Sequence, residues 1–318
     1  MSLPRVPLGS TGLEVSRLGF GSLPLGPMQA NLSVAEGAAV IRYALERGVN
    51  FIDTAAAYRN YAHIRQALQG FGGQVVIATK TGARTYERAQ ENIQAALSEL
   101  GVERLDICHL HGARVTDPFV ERGEVLQCLL DYQAKGYIGA VGISTHVVRV
   151  VREAADRPEI QVIHPLINRT GLGIIDGTAQ DMADAIAYAH ARGKGIYAMK
   201  VLGGGNLLMQ REEALRYVLD MPGVDAAVVG MLKPGEVDFN LAVFSGQPVT
   251  QALADGAPVA AKRLVIPPHL CKGCGECVAA CPNGALTLVN EKSTVDPEKC
   301  LLCGYCSPVC SEFAIRVI

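Results

Sequence analysis

The chain has 318 residues and a formal net charge of −2; 49% of it is hydrophobic and 19% charged. That is ample apolar material for a packed core, it carries no compositional mark of disorder, and it lacks the basic excess that general nucleic-acid binding needs. No stretch reaches ~18 continuous apolar residues, so neither a transmembrane helix nor a membrane partner is expected. The opening MSLPRVPLGSTGLEV lacks the basic-then-apolar order of a secretory leader, and a cytoplasmic location is expected.

In chain order, short apolar runs alternate with longer amphipathic ones. The strand-like runs cover 16–22, 49–55, 75–82, 105–112, 140–146, 160–168, 195–202 and 225–231. They are short, largely apolar and mostly close in Gly, Asn or Thr, as strands buried in a parallel sheet do. Helix-like segments lie between them. The first, 33–48, opens with the capping-box pair Ser33 and Glu36 and ends at Gly48; another, 85–101, stops at Gly101. Similar patterns occupy 59–69, 120–136, 147–156, 179–193, 210–219 and 234–244. Eight β–α units of roughly 30 residues predict a (β/α)₈ TIM barrel over 1–250. A doubly wound sheet is the alternative, weakened by the lack of a Gly-rich dinucleotide fingerprint after the first strand. Residues 251–268, with weak periodicity and several Pro and Gly, are expected to form a linker.

The tail, 269–318, holds eight of the ten cysteines. Cys271, Cys274, Cys277 and Cys281 recur 29 residues later as Cys300, Cys303, Cys306 and Cys310, and Ala285 and Ala314 keep that offset inside the apolar runs ALTLV and AIRVI. The tail therefore reads as two copies of a small metal-binding half, an α+β unit. The isolated Cys108 and Cys128 sit in apolar surroundings and read as packing residues.

In such barrels the reactive groups sit at the C-terminal ends of strands. Asp53, Tyr58, Lys80 and His111 fall there in the first four units. A Lys charge favours a nearby phenolate, so the Tyr58 pKa is expected below ~10. Asp53 would hold Lys80. Tyr58 could then give a proton to a carbonyl oxygen, and His111 could donate a hydrogen bond to the same oxygen. His109 shares strand parity with His111 one layer below and reads as a hydrogen-bonded interior histidine.

LGSTGLEVSRLGFGS, FIDTAAAY, IATK, LDICHLH and GISTH resemble, in order, the opening hairpin and strand-end motifs of the aldo-keto reductase superfamily, over about residues 5–245. The resemblance implies NAD(H) or NADP(H), a small carbonyl or alcohol substrate, and the tetrad Asp53, Tyr58, Lys80 and His111. It places nicotinamide-carboxamide contacts on Ser144 and Gln161. AMKVLGGG supplies Met199, where relatives stack an aromatic, with Lys200, Gly203 and Gly204 beside it. GMLKPGEVDFN supplies Lys233, Asn240 and Glu236 at the adenosine end. Relatives carry Arg or Gln at the position of Glu236, so its carboxylate implies a preference for NADH. Thr145 replaces the family's usual Asn.

Soft thiolates suit iron–sulfur clusters, and C-x₂-C-x₂-C-x₃-C written twice is similar to the two-cluster bacterial ferredoxins. In that arrangement Cys271, Cys274, Cys277 and Cys310 hold one [4Fe–4S] cluster, and Cys300, Cys303, Cys306 and Cys281 the other. Pro282 follows the first run, while Ser311 replaces the second proline. Zinc is the rival metal. Hydride moves electrons in pairs and a cluster takes one, which leaves FMN open as a bridging cofactor, with Lys200 and Lys233 able to serve its phosphate. The first reading is a carbonyl oxidoreductase fused to a ferredoxin-like domain, with a redox partner protein at the clusters. The alternatives are an electron-transfer protein whose barrel docks a flavin or a partner, and a nucleotide sensor.

Overall fold

The computed structural model describes residues 3–259, 262–307, 309–310, 312 and 314–317. The chain opens as an antiparallel hairpin of β1 (Arg5–Pro7) and β2 (Glu14–Ser16). Eight strands follow: β3 (Leu18–Gly21), β4 (Phe51–Asp53), β5 (Val76–Thr81), β6 (Leu105–His111), β7 (Ile138–Thr145), β8 (Val162–Pro165), β9 (Gly195–Ala198) and β10 (Ala226–Gly230). They close into a parallel barrel, β10 returning to β3. Each predicted run holds one strand, β7 starting two residues before its run. Closure excludes the doubly wound alternative, because an open sheet keeps two edges.

Alternation along these strands separates two apolar layers. Phe51, Ala78, Ile107, Ala140, Val162, Tyr197 and Val228 fill the interior, and Leu8 and Val15 of the hairpin join them. The hairpin thus closes the N-terminal end of the barrel. The other parity packs outward on the helices, where Cys108 and Cys128 are buried in the core. Fully burying a side chain such as Phe51 contributes about 1.5–3 kcal/mol.

The helices follow their signals. α1 (Val34–Glu46) begins at a complete capping box, in which the Ser33 Oγ accepts from the Glu36 amide and Glu36 accepts from the Ser33 amide. After α2 (Tyr61–Leu68), α3 (Tyr86–Leu100) is capped by Thr85 and ends at left-handed Gly101. The segment expected as a single helix over 120–136 is two, α4 (Pro118–Glu121) and α5 (Gly123–Ala134). They break at Arg122, whose φ is −133° and whose guanidinium donates to the His111 carbonyl at 2.6 Å. α6 (Val148–Ala155), α7 (Ala179–His190), α8 (Arg211–Leu219) and α9 (Pro234–Phe244) complete the ring.

The stretch read as a linker is partly structured. It holds α10 (Gln251–Gly256), capped by Thr250, and β11 (Leu264–Val265). In the tail, α11 (Glu276–Ala280) precedes the hairpin of β12 (Leu286–Val289) and β13 (Lys292–Val295), and β14 (Arg316–Val317) returns to pair antiparallel with β11. Ser311 lies outside the described residues. Among the described residues no helix is long and apolar enough to cross a membrane.

Candidate active site and cluster sites

Asp53 ends β4, and the turn Ala56–Tyr58 follows it directly. The buried Asn60 amide fixes this turn: it donates to the Ser22 carbonyl at 2.7 Å and accepts from the Thr54 hydroxyl at 2.8 Å. Lys80, buried at the C-terminal end of β5, donates to Asp53 Oδ2 at 2.6 Å and to the Thr54 carbonyl at 2.8 Å. Burial pushes the Asp53 carboxyl up and the Lys80 ammonium down, and their mutual attraction opposes both shifts. The His111 ring stands perpendicular to the Tyr58 ring, with centroids 6.5 Å apart. The structure therefore brings together the four groups that the sequence singled out.

The expected lowering of the Tyr58 pKa is not what this arrangement gives. Burial, followed by neighbouring Tyr305, Asp53 and Cys303, lifts the phenol well above 10. The Lys80 Nζ is committed to Asp53 and Thr54 and lies 5.0 Å from the Tyr58 ring centroid. Tyr58 is consequently held as the protonated phenol, a donor ready to give. Burial and the nearby Lys80, Arg122 and Lys200 charges drive His111 down to about 3, so it is a neutral imidazole.

A second polar layer lies beneath. The Tyr197 hydroxyl donates to Asp53 Oδ1 at 2.9 Å and sits 2.6 Å from His109 Nε2. His109 is thus the hydrogen-bonded interior histidine that strand parity indicated. His164 stacks on Tyr197 at 3.9 Å, and its Nε2 is 3.6 Å from Asp53. Sequence reasoning missed Tyr197 and His164. The available signal was their inward parity on β9 and β8.

A cleft runs from Asp53, Tyr58 and His164 along Met199, Lys200 and Gly204 to Glu236, Phe239 and Asn240. Ser144, paired in register with the cleft-lining His164, is buried, and its Oγ has no hydrogen-bond partner among the described residues. A buried hydroxyl left open beside this cleft fits the amide of a nicotinamide. Gly203 begins the turn leading to Gly204.

Gln161 does not belong to the site. It precedes β8 at the far end of the strand, and its amide is used by Gln133 of α5 at 2.6 Å and by the Val141 amide at 3.2 Å. Its parity turns it outward, and His164, level with Ser144, is the β8 residue that faces the cleft. Lys233 is the residue before α9 and does not line the cleft, whereas Arg211 and Lys262 do. The Glu236 carboxylate accepts from the Leu232 amide at 2.7 Å, so it ties down the loop entering α9 as well as bordering the cleft.

The tail gathers one of the two cysteine quartets around a common cavity. Cys281, Cys300, Cys303 and Cys306 line one cavity. Burial, then the charges of Cys303, Cys281 and Cys300, pushes the Cys306 thiol up to about 12. In the other quartet the Ser293 amide donates to Cys271 Sγ at 3.3 Å, while Ser293 Oγ is 3.2 Å from Cys277 Sγ. Both halves repeat one further contact, from the Ala285 amide to Cys281 Sγ at 3.3 Å and from the Ala314 amide to Cys310 Sγ at 3.4 Å. Such amide donors are the hydrogen bonds that cluster sulfurs use. Among the described residues no three Cys, His, Asp or Glu side chains converge on a single metal ion; the four cysteines around one cavity fit the larger span of one four-iron cluster, and Ser293 joins two cysteines of the other quartet.

The two parts touch at the barrel mouth. Gln29 donates to the Leu302 carbonyl at 3.2 Å, Asn206 to the Cys300 carbonyl at 2.9 Å, and Arg114 to Asn283 at 3.0 Å.

Comparison with known proteins agrees with this geometry. The profile of the Aldo/keto reductase family matches residues 17–213, and that of a 4Fe-4S dicluster domain matches 270–314. L-galactose dehydrogenase of Arabidopsis thaliana is 26% identical over 64% of this chain and 66% of its own length, so the chain spans slightly less than two thirds of that relative. The aldo-keto reductase YhdN of Bacillus subtilis is 25% identical over 73% of this chain and 86% of its own. A solved aldo-keto reductase from Pseudomonas aeruginosa superposes with a TM-score of 0.66 at 27% identity, covering 77% of this chain and 96% of that one. A Bombyx mori aldo-keto reductase in complex with NADP shares the fold, with a TM-score of 0.61 at 17% identity over 80% of this chain and 92% of that one. The chain belongs to the aldo/keto reductase family and is an oxidoreductase whose barrel is joined to a 4Fe-4S dicluster domain.

Proposed function

We propose that the protein reduces a small aldehyde or ketone, or oxidises the corresponding alcohol, with Tyr58 as the proton-transferring group. The observation that carries this is a buried, protonated Tyr58 between His111 and the Lys80–Asp53 pair at the end of a cleft that runs on to Glu236 and Asn240. A nicotinamide dinucleotide in that cleft supplies or accepts hydride. Ser144 would receive its carboxamide, Met199 would lie against the ring, and Lys200, Gly203, Gly204, Glu236 and Asn240 would border the remainder, with Arg211 and Lys262 at the phosphate-rich end.

In the reducing direction Tyr58 holds the proton at Oη and passes it to the carbonyl oxygen. Neutral His111 donates a hydrogen bond to that oxygen and favours the charge growing there. Lys80 and Asp53 fix the electrostatic surroundings, and Tyr197 keeps Asp53 in place from below. FMN gains no support from the comparisons and does not enter this reading. The domain division at 251–268, the cytoplasmic setting and a redox partner at the tail belong to it. Ten unpaired cysteines suit a reducing compartment.

Clusters held by the two cysteine quartets would supply or accept single electrons. A second reading makes them the working part, favoured by the seating of the Cys300–Cys306 segment on the barrel mouth. Tyr58→Phe separates the two. General acid catalysis is worth ~10²–10⁴-fold, so carbonyl reduction should fall by that factor while dithionite still bleaches the clusters at the wild-type rate. Wild-type turnover in Tyr58→Phe with every carbonyl tested would replace the first reading with the second.

A further inference from the structure

The peptide from Cys300 to Cys306 has two sides. Cys300, Cys303 and Cys306 line the cavity that would hold the second cluster. The residues between them meet the barrel. A Cβ on Gly204 would lie 1.7 Å from the Leu301 carbonyl oxygen, and one on Gly173 would lie 2.7 Å from a Leu301 methyl. Gly304 has a φ of +80° and passes so near Met28 that a Cβ there would be 2.0 Å from its carbonyl oxygen. Gly204 and Gly304 meet backbone carbonyls, contacts that no other residue could make without moving the backbone. Tyr305 packs against Met28, Ala55 and Tyr58. Together with the bonds from Gln29 and Asn206, these contacts clasp the segment in the loops that follow β3, β8 and β9. Tyr305 and Met28 also border the open cleft beside Ala57 and Arg84, so Tyr305 stands between that cleft and Tyr58.

We propose that the Cys300–Cys306 segment is the substrate-facing wall of the active site. Tyr305 is the residue that limits which carbonyl reaches Tyr58, and the wall keeps its shape because the cysteines on its other side are gathered in the second cluster. This rests on the reading of Tyr58 as the group that meets the carbonyl. No helix or strand covers 300–306, and Leu302 is held at a left-handed φ of 49°, a conformation that a branched residue does not keep unaided. Ordering such a segment costs conformational entropy at every residue, and the ligating cysteines are the fixed points that offset it. Iron loading in the tail thereby sets specificity in the barrel.

The probes are glyceraldehyde and the bulkier, soluble diaryl ketone 4-benzoylbenzoate. Tyr305→Ala should raise kcat/KM for the diaryl ketone relative to glyceraldehyde by roughly ten-fold or more, the scale on which pockets discriminate by size. Tyr305→Phe should keep the wild-type ratio, and nicotinamide nucleotide binding, followed by fluorescence, should be unchanged in both. Cys303→Ala, prepared anaerobically, should lose about four of its eight irons. It should shift selectivity in the same direction as Tyr305→Ala and speed hydrogen exchange across 300–306 and 24–31. If that variant does not accumulate, the exchange comparison is made on the wild-type protein before and after anaerobic chelation.

A Tyr305→Ala protein with the wild-type ratio overturns the proposal, as does loss of the second cluster without change in exchange. If Tyr58→Phe shows that no carbonyl is reduced at Tyr58, the proposed function fails separately. The wall is then read by calorimetric binding of 4-benzoylbenzoate, which needs no turnover and should tighten in Tyr305→Ala.

Discussion

The barrel and the tail reach a defined structure by opposite means. The barrel buries a continuous apolar layer between strands and helices, and its buried charges Lys80 and Asp53 pair with each other. Among the described residues the apolar cluster of the tail holds only five buried side chains besides Leu264 of the preceding stretch, two of them the cysteines Cys277 and Cys306. So small a unit cannot stand on apolar burial, and metal–ligand bonds must take over. The barrel therefore depends on packing and protonation, whereas the tail depends on iron.

Removing iron is the strongest way to break that contrast. Anaerobic chelation should abolish the tail's ordered structure, seen as rapid hydrogen exchange over 269–318, and leave the barrel's cooperative unfolding in place; a tail that keeps its protection without iron would remove the distinction. Lys80→Met comes next. It leaves the buried Asp53 carboxylate without its partner, which should cost about 3–5 kcal/mol of barrel stability with the iron content untouched. With no tryptophan in the chain and ten tyrosines, denaturant unfolding followed by tyrosine emission reads this directly.

Acid should act on the barrel in a graded way. Burial holds His109, His111, His146 and His164 below the ordinary imidazole value of 6.5. Below that pH the unfolded chain binds protons that the folded barrel refuses, so stability is full above about 6.5 and falls as pH drops through it. The loss should reach roughly 3 kcal/mol in sum by pH 6. Asp53, Asp106 and Asp225, raised by burial, act with the opposite sign where they titrate. A stability that stays flat between pH 8 and 6 would show that these histidines titrate in the fold as they do in the unfolded chain. The smallest effect belongs to Glu236. Glu236→Gln should cost about 1 kcal/mol for the weakened bond to Leu232, and Glu236→Arg should shift binding toward NADPH. Equal or tighter NADPH binding by the wild type would end the idea that this carboxylate selects NADH.

Periodicity made the eight strands readable, because each buried strand needs its own apolar run, and strand-end position made Asp53, Lys80 and His111 readable. Ligand spacing did the same for the cysteines. Contacts made across the barrel were not readable. Nothing local in GIYAMKVL says that the Tyr197 hydroxyl meets Asp53 and His109, since those partners arrive from β4 and β6. Gln161 was misplaced because motif order carries no information on strand parity, and parity turns its amide toward α5. The Tyr58 pKa was misjudged because the sequence shows the Lys80 charge and hides the burial that outweighs it. Gly204 looked like a cofactor residue and is also the seat of Leu301, a fact that depends on how two folded parts meet.

The pairing of β11 with β14 joins residues 264–265 to residues 316–317, one edge of the tail to its last described strand. During synthesis the barrel emerges whole and can fold first, as N-terminal domains do. The strand at 264–265 has no partner until residues 316–317 have been made, and Cys310 joins the first cysteine trio only shortly before. Iron insertion would accordingly follow the barrel, on a scaffold that is already built. A chain cut before Cys300 would carry a complete barrel with a bare mouth.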